Sequence, residues 1–460
     1  MPKLLTICHY DLLPIQGGGA LRSFHLLRQL AQENEVHAII FQREAELRRA
    51  TEGYKVPDAV RIYSPIDEPP PPSVFDWLPR RLGPGLHYRW LRRSWQGPAS
   101  GDYLKCHHLI RRILREQAID AVVFEYVGSL SIAPLIQELS PRTLRILNAH
   151  NVDHKLLSQE FSSRERVPRQ VDGLCGPEPQ GKSRPLTPAL SPSEGERGDP
   201  RHLSGEPAFM ERGSGEPKVV RQTRLIEQNL GRYVHAVWAC SEVDRNELAT
   251  PNGIPGYVIP NGVDTAFYSY DDRAQKADAP YLLFSGWLGT RANDDGVRFL
   301  VNEIWPLILR RYPEMRLLIV GGGASGDLKQ ALQGVRQVEV SGQVPDVRPY
   351  FKQASIALVP LRIGSGTRLK ILEAMSQGSP VVSTRKGAEG IEVLDGDNIL
   401  LADDPEKFAQ AVSRLLADRA LFDRMRATAR KFVEERYDWD VVGEAANRSI
   451  RELVGGKAES

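Results

Sequence analysis

Cysteine is scarce: of 460 residues only Cys8, Cys106, Cys175 and Cys240 are cysteine, and no two form a C-x-x-C pair. That excludes a disulfide framework and a thiolate zinc site, and it suits a reducing cytosol. No run of about 18 uninterrupted apolar residues occurs, so no transmembrane helix is expected. The apolar part of "MPKLLTICHYDLL" is too short for a signal peptide and lacks a small-residue cleavage pattern. An excess of charge is missing too. The 60 basic and 58 acidic residues leave +2, which gives no support to nucleic acid as a partner. Acidic metal motifs are poor. "DGD" (395–397) falls in a turn and "DWD" (438–440) opens the last helix, and neither follows an apolar strand where a nucleotide-bound divalent ion would sit. No metal is expected.

What is present is a rhythm. Short β-branched runs alternate with longer amphipathic stretches, the pattern of doubly wound α/β domains. Strands are expected at 4–8, 36–41, 121–124, 144–147 and 236–240, then at 281–284, 316–320, 338–340, 356–359 and 380–383. Helical patterns such as "ALRSFHLLRQLAQE" and "DGVRFLVNEIWPLILRRYP" lie between them. A chain of this length exceeds one ordinary core. Two open sheets are the economical reading, hinged at the turn-rich "PNGIPGYVIPNGVD" (251–264).

Two segments break the rhythm. Residues 168–217 hold nine Pro and eight Gly, and "SGEP" occurs twice. Such a stretch cannot bury enough apolar surface to offset its ordering entropy, so a disordered insertion is expected over about 166–217. Residues 77–95, "WLPRRLGPGLHYRWLRRSW", carry five Arg, three Trp and no acid. This is either a solvated Arg-rich loop or a peripheral contact to anionic lipid.

Two glycine-rich stretches carry chemistry. In "RLLIVGGGASGD" (316–327) an apolar strand runs into Gly321, Gly323 and Gly326 at the spacing G-x-G-x-x-G, with Glu339 about where a ribose-binding acid would stand. Taken alone this suggests a dinucleotide enzyme. However, it follows a middle strand of the second half, and the helix after it is short. The second stretch is "VPLRIGSGTRLKILEAMSQGSPVVST" (359–384). A strand ends at Pro360, a Gly-rich turn follows, and a helix is expected from near Thr367 to near Gly378. Free N–H groups and the helix dipole make an anion site there. Arg368 and Lys370 add cations where the dipole opposes them, which makes best sense if a diphosphate neutralises them. Glu373 lies on the face of Lys370 and is suited to accept from a ribose diol. An ordinary strand–turn–helix with Lys370 and Glu373 as a surface pair is the alternative.

This segment resembles the donor site of retaining glycosyltransferases of family 4, which have the GT-B fold. "QGGGA", "NAHNVDHKLL", "WACSEVDRNEL", "VIPNGVDTAFY", "LLFSGWLGTRANDDGVRFLVNEIWPLI" and "VEVSGQVPDVRPYFKQASIALVPL" agree in order and spacing. The resemblance spans about residues 3–455, apart from the insertion and a weak region at 45–110. It implies two Rossmann-like doubly wound α/β domains facing each other across a cleft. These are an acceptor-side domain (1–255), a nucleotide-sugar domain (256–435) and a last helix (436–460) crossing back. It implies donor binding by Gly286, Arg291, Gly322, Gly364, Ser365, Gly366, Thr367, Arg368, Lys370 and Glu373. Gly17, Gly18 and Gly19 form a loop against the diphosphate or acceptor. His150 contacts the transferred sugar, and His150 and Glu373 are the expected catalytic pair.

The sequence departs from the family in two places. Ser365 stands where many members carry the first of two glutamates. Trp287, Asp294 and Asp295 stand where an Arg and a Lys are usual, leaving Arg368, Lys370 and Arg291 to meet the phosphate charge. The expected activity is transfer of a sugar from a nucleoside-diphosphate sugar to a glycan or lipid-linked acceptor in bacterial envelope or exopolysaccharide synthesis. It would proceed with retention and without metal or other cofactor. The expected place is the cytosol, or the inner face of the cytoplasmic membrane if 77–95 docks there. An inactive nucleotide-sugar-binding protein and a GT-B-like nucleotide-sugar epimerase are the alternatives.

Overall fold

In the computed structural model β1 (Lys3–Cys8) sends its side chains alternately to two layers. Leu5 and Ile7 join Ile110, Phe124 and Ile136 on one face, and Leu4 and Cys8 join Phe24, Leu27 and Ile450 on the other. Burial on both faces is why the central strands read as continuous apolar runs. The structure describes residues 1–8, 12–13, 18–48, 56–69, 100–153, 155, 157–158, 217–270, 281–364 and 366–456. The stretch 77–95, Gly17, Ser365 and the insertion up to 216 lie outside them.

Seven parallel strands form the first sheet in the order β3-β2-β1-β4-β5-β6-β7. The further strands are β2 (Glu35–Ile40), β3 (Arg61–Tyr63), β4 (Ala121–Glu125), β5 (Leu144–Asn148), β6 (Ala236–Ala239) and β7 (Gly256–Val258). Helix α1 (Gly18–Glu33) follows β1. The second sheet has six parallel strands in the order β10-β9-β8-β11-β12-β13. They are β8 (Tyr281–Ser285), β9 (Arg316–Val320), β10 (Val338–Gly342), β11 (Ile356–Val359), β12 (Val381–Ser383) and β13 (Leu400–Leu401). Helix α2 (Arg291–Phe299) follows β8 and α3 (Leu369–Ser376) follows β11. In each sheet the chain leaves its first strand in one direction and returns on the other side. The reversals lie between β1 and β4 and between β8 and β11, the places where open α/β sheets bind ligands.

Every strand expected from the sequence forms. β3, β7 and β13 were not expected; each is two or three residues long and lies at a sheet edge. Short, half-covered edges leave no apolar run to detect. β7 corrects the expected domain boundary. Gly256–Val258 pairs with Val237–Ala239, so the first domain extends through Val258 rather than ending at 255. Pro255 and Pro260 flank this strand and made it look like pure turn. The long helix expected after β8 is also interrupted: a π-turn (Leu300–Ile304) separates α2 from the helix Trp305–Arg311. Pro306 has no N–H to continue a regular ladder.

Two strands of chain cross between the domains and hold each other. Val263 N–H donates to Tyr437 O at 2.8 Å, and Asp438 Oδ2 accepts from Thr265 N at 3.2 Å. The final helix α4 (Trp439–Gly455) then lies on the first domain. Trp439, Val442, Ala446 and Ile450 enter its core, and Trp238 Nε1 donates to Ser449 Oγ at 2.8 Å. The acids of "DWD" are occupied there. Asp438 Oδ1 accepts from Asp440 N at 2.8 Å, and Asp440 accepts from Gln29 at 2.7 Å.

Candidate active site

A cavity of about 690 Å³ opens at the carboxyl ends of β8, β9 and β11. Its floor is the reversal point of the second sheet, and Gly18 of the first domain closes one side. The N-terminal turns of α2 and α3 both reach it, so the positive ends of two helix dipoles meet at one space. A Cβ on Gly18 would lie 3.3 Å from Leu369, and one on Gly366 (φ +77°) would collide with Asn151 Oδ1. The two domains therefore touch beside the cavity.

The cations expected on α3 are in this wall. Arg368 is the N-cap residue, so the helix begins two residues later than expected. Its Nη1 donates to Gly366 O at 2.8 Å, which folds the Gly-rich turn back over the helix end. Lys370 Nζ donates to Asn293 Oδ1 at 2.8 Å and lies 4.3 Å from the Phe284 ring centroid. Gly286 (φ +145°) makes room for it, because a Cβ there would lie 2.6 Å from Nζ. Burial, with Arg368 beside it, pushes the Lys370 amine down to about 7. Burial also holds Arg368 below the usual guanidinium range. Burial lifts the Glu373 carboxyl above its ordinary range, although Tyr268 OH donates to it at 3.1 Å and Lys370 is near. Lys370 is held by Asn293 in the cavity wall, so the surface-pair alternative does not apply. A pocket in which burial disfavours the charged forms of its own cations is arranged for an anion.

The carboxyl ends of β4 and β5 build a second cluster. His150 Nε2 lies 3.0 Å from Glu125 Oε2, and both side chains are buried. Ser23 Oγ and Asn148 Nδ2 donate to the same oxygen at 2.6 and 2.8 Å. Arg22 donates to Asn148 Oδ1 at 2.7 Å and to Pro260 O at 2.9 Å, tying the cluster to the crossover. Burial pushes His150 down, and Glu125 only partly offsets this. Burial alone would raise Glu125, but His150, Ser23 and Arg22 together leave it below the usual range. A neutral imidazole donating through Nε2 to a carboxylate presents Nδ1 as an acceptor. That atom faces Gly19, whose added Cβ would lie 3.1 Å from it. Tyr126, next to Glu125, has φ +78°, a strained backbone for a bulky residue, and its ring meets the His150 ring edge-on at 4.8 Å.

Nine of the positions expected from the sequence line the cavity: Gly18, Gly286, Arg291, Gly322, Gly364, Thr367, Arg368, Lys370 and Glu373. Gly366 lies beside it against Asn151, and His150 with Gly19 lies in the adjoining first-domain cluster. Asp294 and Asp295 turn to Arg298 and Arg362 instead, at 2.7 and 2.8 Å. Glu125 and Asn293 were missed. A lone carboxylate ending the apolar run "AVVFE" was the available signal for the first.

Two of the three G-x-G-x-x-G glycines serve packing. Gly321 (φ +153°) is needed because a Cβ would collide with Gly286 O, and Gly323 (φ +80°) lies under the Trp287 indole. An added Cβ on Gly326 meets nothing within 4 Å, and Glu339 pairs with Arg316 at 3.0 Å on the exposed edge. The third glycine and the acid of a dinucleotide fingerprint thus have no such role here.

The fold is the GT-B architecture of two parallel-sheet α/β domains. Over 99% of this chain and 100% of that one, it matches a crystal structure of Alr3699/HepE from Anabaena in complex with UDP and glucose, with a TM-score of 0.61 and 14% identity. Residues 279–418 match the family model described as Glycosyl transferases group 1. The chain is 30% identical over 233 residues to a phosphatidyl-myo-inositol mannosyltransferase of Mycolicibacterium smegmatis, covering 47% of this chain and 57% of that protein. It is 27% identical over 164 residues to an uncharacterised 44.6 kDa protein in the cps region of Klebsiella pneumoniae, covering 34% and 42%. The chain thus spans about half the length of the curated relatives it matches. Among the described residues no helix is long and apolar enough to cross a membrane.

Proposed function

We propose that this protein is a retaining, metal-independent glycosyltransferase that moves a sugar from a nucleoside-diphosphate sugar to a glycan or lipid-linked acceptor. The observation that carries the proposal is the cavity at the β8–β11 reversal, where two helix N-termini converge with the buried side chains of Arg368 and Lys370. These groups would hold the diphosphate, Glu373 the ribose diol, and the His150 cluster the transferred sugar. The family model match over the second domain supports the reaction class. The relative acting on phosphatidyl-myo-inositol supports an acceptor of the lipid-linked or envelope type.

In the reaction the bond from the anomeric carbon to the phosphate oxygen breaks. A bond to the acceptor oxygen forms on the same face of the sugar, and the acceptor's proton passes to the leaving diphosphate. No protein nucleophile is needed, so positioning and charge stabilisation supply most of the rate. Lys370, Arg368 and the helix ends act where negative charge grows on the leaving group. The His150–Glu125 cluster, beside the acceptor loop at Gly18 and Gly19, fixes the position of the transferred sugar. A thermal-shift screen of UDP-, GDP-, ADP- and dTDP-sugars tests this. At least one should stabilise the protein, and Arg368→Ala should remove the shift; no shift with any of them sinks the donor-site assignment.

A further inference from the structure

Trp287 has no part in the chemistry above, yet it stands in the cavity wall with 55% of its surface exposed, whereas Trp238, Trp305 and Trp439 are buried. Its position is held. Asn293 Nδ2 donates to its carbonyl at 2.7 Å and Thr290 Oγ1 at 3.2 Å. Added Cβ atoms on Gly289, Gly322 and Gly323 would lie 2.6, 2.9 and 2.5 Å from the indole, so three glycines leave the space it fills. The same Asn293 accepts from Lys370 Nζ, which couples the indole's backbone to the phosphate-side cation through one amide. From the indole the wall runs on through Gly322 to Val344 and Val347, apolar except for the Gln343 amide.

An exposed indole and buried cations lining the same cavity fit a ligand that carries both a flat ring and an anion. We infer that Trp287 is the stacking platform for the nucleobase of the donor, and that it sets affinity for the nucleoside and not for the diphosphate. Base stacking tolerates any base, so the indole adds affinity for uridine and guanosine diphosphates alike, and selection between them falls to hydrogen-bonding groups such as Gln343. This rests on the nucleotide-sugar reading above.

The test is calorimetric titration of wild type, Trp287→Ala and Trp287→Phe with UDP, GDP, ADP, dTDP and inorganic pyrophosphate, with thermal denaturation as the folding control. For whichever nucleotide the wild type binds, Trp287→Ala should weaken binding roughly tenfold or more. Pyrophosphate binding and the melting temperature should stay as in wild type, and Trp287→Phe should recover most of the affinity. Unchanged nucleotide affinity in Trp287→Ala overturns the inference. So does an equal loss for pyrophosphate, which would put the indole at the phosphates. A loss seen only with a UDP-sugar and not with UDP would put it at the sugar and overturns it likewise. If wild type binds none of the five probes, the nucleotide-sugar reading itself falls, and the inference with it.

Discussion

Lys370 makes ligand binding a proton-uptake reaction. Burial and Arg368 push its amine down to about 7, so above neutrality most of it is uncharged. A phosphate oxygen about 4 Å from Nζ attracts the ammonium by roughly 4 kcal/mol per unit charge at an effective dielectric near 20. At about 1.36 kcal/mol per pKa unit this lifts the amine by about three units, back into its ordinary range. The second ionisation of the terminal phosphate lies near about 6 and is complete in this window. Between about pH 7.5 and about pH 9 the complex therefore holds about one proton more than its separate parts, and Kd for a nucleoside diphosphate rises about tenfold per pH unit. Calorimetry in two buffers of different ionisation enthalpy measures that proton directly, and Lys370→Met should bind weakly with a flat profile. Folding shows the linked effect. A base whose folded pKa lies below its unfolded value leaves the folded state with fewer protons from about pH 7 to about pH 10.4, so stability rises with pH across that window. A wild-type Kd that stays constant over the alkaline window, or the same slope in Lys370→Met, refutes the reasoning.

Three further outcomes are expected. Glu373→Gln should weaken nucleoside diphosphates about tenfold to about a hundredfold while leaving pyrophosphate binding nearly intact, since hydrogen bonds to a charged acceptor contribute about 1.5–3 kcal/mol. Parallel titrations of the two ligands check this. Glu125→Gln should lower kcat more than KM and shift the acid limb of the pH–rate profile, because a neutral amide no longer fixes the His150 tautomer; it should also cost about 1–3 kcal/mol of stability, read by urea unfolding, since Ser23 and Asn148 donate to the same carboxylate. Gly321→Ala should lower the melting temperature by several degrees and abolish nucleotide binding, because its Cβ would push the β8 loop away from Lys370. Gly326→Ala, which meets no atom, serves as the neutral control.

The central strands were legible because burial on both faces forces apolar runs such as "YLLFS" and "RLLIV", whereas the two- and three-residue edges carry no such constraint. Lys370 and Glu373 could be read as one pair because they share a helix face, with Arg368 next to them in sequence at the N-cap, and helical periodicity is a local property. Glu125 and Asn293 could not. Their partners, His150 and Lys370, lie 25 and 77 residues away, and no local pattern records which loop ends meet above a sheet.

By itself the sequence determined the alternation of strand and helix, the Gly-rich turn that frees a helix end for an anion, and the cations opposing that helix dipole. Local sterics and periodicity are sufficient for each of these. The tertiary structure alone decided that the glycines after β9 make room for Gly286 and an indole, that "DWD" serves as a cap between crossing segments, and that burial pushes the Lys370 amine down. Those outcomes depend on which chain segments approach and how much water they exclude, and desolvation and close backbone contact belong to the packed fold.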